Sequence, residues 1–208
     1  MGVIICGMNG SGKSTLGRAL AEQMKWRFLD NEDLYFPKTD PEHPFAVERT
    51  QDEVERLLLE EVQRDNCFVF AAVRGNYGEA VLPYYQAAVL VEVPRVVRLK
   101  RVKERSYRKF GARMLPGGDL YASEKRFYDM VVARPEDYAE RWLTGLDIPI
   151  LRVDGTQQVG ENVARIMDWL GGFSNEELHP GVREEQCRGG EALLQCLWCG
   201  DHPRILER

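Results

Sequence analysis

Residues Gly7-Met8-Asn9-Gly10-Ser11-Gly12-Lys13-Ser14 match the pattern G-x-x-x-x-G-K-[ST] in full. The pattern has physical meaning only between a strand and a helix, and the flanks supply both. Val3–Cys6 is a short, β-branched, continuous apolar run, as expected of a strand covered on both faces. From Ser14 to Met24, Leu16, Ala19, Leu20 and Met24 recur at helical spacing. Glycines let the backbone between them curl, so that successive N–H groups of Gly7, Asn9, Gly10, Ser11 and Gly12 and the following helix start surround phosphate oxygens. In such a loop Lys13 reaches the β- and γ-phosphates, the Ser14 hydroxyl ligates magnesium, and Thr15 lies by the α-phosphate. The expected ligands are therefore ATP and Mg²⁺.

The rest of the chain repeats the alternation. Arg27–Asp30, Cys67–Val73, Ala87–Val93 and Pro149–Val153 read as four further strands. Between them lie an amphipathic helix at Gln51–Arg64 and a basic helical stretch from Arg95 to Arg126, interrupted at Leu115-Pro116-Gly117-Gly118. The helical pattern resumes over Lys125–Trp142, and a last helix is expected at Val159–Leu170. Strands alternating with helices predict a three-layer α/β/α sandwich on a five-stranded parallel sheet, with loops at the strand C-terminal ends carrying function. The segment from Asn31 to Thr50, rich in Pro, Asp and Glu, reads as a loop or short helical lid on the acceptor side. One domain is expected over residues 1–172, with a lid at about 95–126. Gly171-Gly172 marks its end, and 173–208 is a polar appendage.

The chain has 208 residues, 44% of them hydrophobic and 29% charged, which is ordinary for a globular protein with a sizeable core. Its formal net charge of -5 argues against whole-surface binding to nucleic acid or anionic membrane. No apolar run approaches the roughly 20 residues of a membrane span, and the N-terminus lacks a basic leader, so a cytoplasmic protein is expected. The five cysteines do not form a secreted disulfide framework. Cys187, Cys196, Cys199 and His202 offer a Cys₃His set for Zn²⁺, although the spacing is irregular, and a docked amphipathic tail is the preferred alternative.

A phosphate loop serves GTPases and motor ATPases as well as kinases. The chain has no N-K-x-D for guanine, and CFVFAAV lacks the acidic residue that ends an ATPase's third strand. Those features favour a compact kinase, and the residues resemble the gluconate, shikimate and nucleoside-monophosphate kinases of the P-loop class. Phe28-Leu29-Asp30-Asn31-Glu32-Asp33 looks like their aspartate-bearing second strand. The resemblance implies that Asp30 assists magnesium and that Asp33 meets the acceptor hydroxyl. The two acids are one residue further apart than is usual there, so Glu32 also qualifies for the second role, and capping a loop remains a simpler use for them.

Residues 95–113 hold nine Lys or Arg against one Glu. They resemble the helix and lid that supply arginines to the transferring phosphate, with Arg101 and Arg105, one helical turn apart, as first choices. A solvated basic face looks the same in sequence. Arg74-Gly75 resembles the acceptor-binding position of nucleotide kinases. Gly155 and Thr156, within Asp154-Gly155-Thr156-Gln157, resemble the adenine-side loop, though turn chemistry alone would explain them. The expected activity is transfer of the γ-phosphoryl of Mg-ATP to a small-molecule acceptor: a nucleotide, a sugar acid or another alcohol. The alternative is a nucleotide-dependent switch or regulatory ATPase acting with a protein or nucleic-acid partner. Neither the acceptor nor the oligomeric state follows from the sequence.

Overall fold

The computed structural model describes residues 1–173. In chain order its elements are β1 (Gly2–Cys6), α1 (Lys13–Met24), β2 (Arg27–Asp30), α2 (Asn31–Tyr35), α3 (Gln51–Arg64), β3 (Phe68–Ala72), β4 (Ala87–Glu92), α4 (Arg95–Phe110), α5 (Tyr121–Ala133), α6 (Tyr138–Leu143), β5 (Ile150–Asp154) and α7 (Val159–Gly171). The strands form one sheet in the order β2-β3-β1-β4-β5, and every pairing is parallel. The expected fold is therefore the observed one.

The continuous apolar runs divide by parity, because side chains alternate across a strand. Ile4 and Cys6 face one layer with Phe68, Phe70, Ala88 and Leu90, covered by Val54, Leu58 and Val62 of α3 and by Ala139 and Leu143 of α6. Val3 and Ile5 face the other with Val69, Val89, Val91 and Val153, under Leu16 and Leu20 of α1 and Ile166 and Leu170 of α7. Register keeps these sets together: Ile4 lies opposite Phe70 on one side and Ala88 on the other. In α3, buried positions recur every four residues, and a capping box starts the helix, with Thr50 accepting from the Glu53 N–H and Glu53 from the Thr50 N–H. Each fully buried aliphatic side chain contributes about 1.5–3 kcal/mol. Leu58→Ala would remove one and leave a cavity, costing about 2–5 kcal/mol.

After β1 the chain runs outward to β2, returns to β3 and then crosses β1 to β4. The strand order reverses at the C-terminal end of β1, where ligands bind in open parallel sheets. The glycine loop lies there.

One expectation changes. The helical pattern over 125–142 is two helices, α5 beginning earlier at Tyr121 and ending at Ala133, and α6 beginning at Tyr138. Pro135 is the reason: it lacks a backbone donor and holds Arg134 in an extended conformation, φ −68° and ψ 130°. The acceptor-side segment opens with the five-residue α2, whose N-cap is Asp30 itself. No helix among the described residues is long and apolar enough to cross a membrane.

Candidate active site

The glycine loop leaves β1 and ends on Gly12, whose φ of +93° turns the chain into α1. Gly10 has φ +81°, and a Cβ there would lie 2.3 Å from the Arg98 carbonyl oxygen. Only glycine satisfies both constraints, and the contact seats the start of α4 on the loop. On the opposite side the Gly155 backbone packs against Ser11, a Cβ there falling 2.6 Å from the Ser11 carbonyl oxygen. The Ser11 N–H donates to the Met8 carbonyl at 3.0 Å, closing the loop. The Ser11 hydroxyl is buried with no hydrogen-bond partner. It packs against Gly7, where a Cβ would lie 2.6 Å from the Ser11 oxygen, so it belongs to the inside of the loop.

Lys13 is partly buried at the mouth of this cradle. Burial brings its pKa down to about 8; Asp30 opposes that shift, and Arg105 and Arg134 add to it. One ammonium thus feels a carboxylate from the end of β2 and two guanidiniums, from α4 and from the turn after α5. Asp30 Oδ1 accepts the Glu32 N–H at 3.0 Å, which orients the carboxylate.

Arg134 was not singled out from the sequence. It is half-buried, and its Nη1 donates to Asn9 Oδ1 within the glycine loop at 2.6 Å. Its guanidinium carbon lies 5.0 Å from the Tyr138 ring centroid, and that of Arg74, at the end of β3, lies 4.4 Å from the same ring. Burial and the neighbouring Arg74 lower the Arg134 pKa, while Tyr138 and Tyr77 oppose the shift. The one sequence signal for Arg134 is its place before Pro135 in the break between two helices.

The other expected site residues separate. Arg101 Nη1 donates to the Gly155 carbonyl at 3.0 Å, so it braces the loop after β5 against α4. Arg105 has no hydrogen bond or ion pair among the described residues, and its charge reaches Lys13 and Lys109. Asp33 is exposed and ion-paired to Lys38, which also lies 3.4 Å from Glu32. Of Asp30 and Asp33, Asp30 is the one whose charge reaches Lys13. Gly75 is buried, its missing side chain leaving room for Ile4 and Trp142, so packing accounts for this glycine. The Thr156 hydroxyl and N–H both bond Asp154 Oδ1, a local turn. Most of the basic stretch finds protein partners: Arg95 and Arg98 on Glu136, Arg113 on Asp119 and Glu42, Lys103 over Tyr128 and Lys109 over Phe45. Most of these cations thus have tertiary partners, although only Glu136, Asp119 and Glu42 among those partners carry negative charge.

Ser14, in the glycine loop, and Asp30, whose charge reaches Lys13, are the protein oxygens that could hold magnesium. Among the described residues no three His, Cys, Asp or Glu side chains converge on one point, and magnesium on phosphates commonly takes only one or two protein oxygens. The donor set therefore fits that ion. Cys187, Cys196, Cys199 and His202 lie outside the described residues.

The sheet order, the glycine loop and the helices on both faces define a P-loop protein with the fold of the small-molecule kinases. A family model described as an AAA domain matches residues 3–128, more than half of the chain, and the chain belongs to that family. It is 27% identical over 174 residues to "Uncharacterized protein YqaC" of Bacillus subtilis (strain 168), covering 80% of this chain and 95% of that one. In fold it is similar to shikimate kinase from Aquifex aeolicus, at 20% identity and TM-score 0.51 over 83% of this chain and 97% of that one. It is likewise similar to deoxyadenosine kinase from M. mycoides with bound dATP, at 15% identity and TM-score 0.52 over 83% and 100%.

Proposed function

We propose that this chain is an ATP-dependent phosphotransferase that moves the γ-phosphoryl of Mg-ATP to a small-molecule acceptor in the cytoplasm, through a kinase domain of residues 1–172. The observation that carries the reading is a phosphate-loop lysine, Lys13, that feels the charges of the Asp30 carboxylate and of the Arg105 and Arg134 guanidiniums, with Arg134 bonded to Asn9 of the same loop. Cations beside a phosphate loop stabilise charge on a transferring phosphoryl, and a carboxylate facing them orients or deprotonates an acceptor hydroxyl. In this assignment the loop residues 7–15 hold the triphosphate, with Gly155 and Thr156 on the base side. Ser14 and Asp30 would hold magnesium, which when bound would add to the neutralisation of phosphate charge. Asp33 and Glu32, tied to Lys38, edge the acceptor side.

Arg74 and Arg134 narrow the acceptor. Their contacts are an amide oxygen, a thioether and the Tyr138 ring, none of them a carboxylate. Two half-buried guanidiniums sharing one ring are best matched by an acceptor with its own anionic group, which favours a nucleotide or sugar acid over a neutral alcohol.

The test incubates purified protein with Mg-ATP and pools of nucleoside monophosphates, sugar acids and neutral alcohols, measuring ADP release and phosphorylated product. Acceptor-dependent ADP with a matching product is expected. ATP binding without acceptor-dependent turnover would replace this reading with that of a partner-dependent switch.

A further inference from the structure

Arg134 reaches the glycine loop from a turn with an unusual amount of support. Arg95 sends Nη2 to the Val132 carbonyl at 2.6 Å and Nη1 to Glu136 Oε1 at 2.6 Å. Arg98 sends Nη2 to Glu136 Oε2 at 2.7 Å and Nε to the Val93 carbonyl at 3.1 Å. One residue two positions before Arg134 and one two positions after it are therefore both tied to the first turn of α4. Between them Pro135 restricts the backbone of Arg134 itself. The Arg98 side chain is only 4% exposed, so it is a fixed post, and its carbonyl is the atom that rests on Gly10. The carboxylate of Glu136 thus joins the Arg134 turn to Arg98, the residue whose carbonyl rests on the phosphate loop.

We propose that Glu136 is a positioning residue: by clasping Arg95 and Arg98 it sets the Arg134 guanidinium over the phosphate loop. This rests on the phosphotransfer reading for its kinetic consequence, but the placement of Arg134 is testable without it. The Glu136 side chain is 54% exposed and makes no contact with the glycine loop among the described residues, and Glu136→Gln keeps an oxygen acceptor for the nearly buried Arg98, so a thermal melt beside the binding assay separates lost aim from lost folding. A misplacement of about 1 Å at a reacting centre lowers a rate by up to about a hundredfold.

The experiment compares wild type, Glu136→Gln, Glu136→Asp, Arg134→Gln and the double variant Glu136→Gln/Arg134→Gln. Affinity for Mg-ADP is measured with and without aluminium fluoride, which mimics a phosphoryl group in transfer, and turnover is measured with the acceptor class found in the screen. Glu136→Gln is expected to weaken the fluoroaluminate complex about ten- to a hundredfold, to leave Mg-ADP affinity within about twofold, and to lower kcat with little change in KM for ATP. The double variant is expected to match Arg134→Gln, because the two changes remove one effect. Glu136→Asp is expected to recover part of the loss. If the double variant shows the product of the two single losses, or if Mg-ADP and fluoroaluminate binding fall together, Glu136 is structural and the proposal is overturned. If no acceptor is phosphorylated while the selective, non-additive loss of fluoroaluminate binding persists, the phosphotransfer reading fails and the positioning of Arg134 stands.

Discussion

Lys13 is a lysine at the mouth of a loop made to receive negative charge, and without that charge it is held at a disadvantage. Its pKa falls from 10.5 to about 8, chiefly through burial and, less strongly, through Arg105 and Arg134, with Asp30 opposing. The folded state therefore binds fewer protons than the unfolded chain between pH 8 and 10.5, so stability rises with pH across that window. Below pH 8 the lysine is charged in both states, and the full penalty is present. A shift of this size corresponds to at most on the order of 3 kcal/mol, and water reaching the partly exposed ammonium reduces it to about 1–2 kcal/mol. Lys13→Met removes the charge while keeping the length of the side chain. The ligand-free variant is expected to melt about 2–8 °C above wild type at pH 7, with the difference closing by pH 10.5. Nucleotide phosphates restore the ammonium, so wild type is expected to take up a measurable fraction of a proton on binding ATP at pH 9 and far less at pH 7. Calorimetry in buffers of different ionisation enthalpy reads that uptake directly. A Lys13→Met variant no more stable than wild type at pH 7, or ATP binding with no proton uptake at pH 9, would refute the burial argument.

Asp30→Asn retains the Oδ1 that caps α2 but loses the charge facing Lys13, so turnover is expected to fall about 10²–10⁴-fold with little change in melting temperature; unchanged turnover would remove Asp30 from the site. Arg105→Ala is expected to leave stability unaltered and to lower turnover about a hundredfold. Arg101→Ala, which loses the Gly155 carbonyl, is expected to destabilise by about 1 kcal/mol; the reverse pattern in thermal melts and initial rates would exchange their roles. The Arg113 hydrogen bonds hold the Asp119 carboxyl down at about 2. Being depressed, it contributes stability that is lost as pH falls from about 4 through about 2, and an NMR titration should find it returning to the ordinary range in Arg113→Ala.

Local signals carried the architecture. The parity of Val3, Ile4, Ile5 and Cys6, the four-residue spacing of Val54, Leu58 and Val62, and the glycines at 10 and 12 state strand, helix and loop within a few residues, because they report backbone geometry and one buried face. Lys13 and Asp30 were legible for the same reason, lying at the ends of elements that declare themselves. Arg134 on Asn9 joins residues 125 apart, Arg98 on Glu136 joins residues 38 apart, and Arg101 on Gly155 joins residues 54 apart. A guanidinium's reach and direction depend on which loops the sheet order brings to the same end of β1, and nothing in the spacing of a basic helix distinguishes the cation that faces solvent from the one that meets a carboxylate. The sequence by itself therefore determined a phosphate loop on a parallel α/β sheet. Tertiary structure alone decided which acid's charge reaches the lysine and which arginines meet a carboxylate among the described residues, since charge pairing follows distances across the fold.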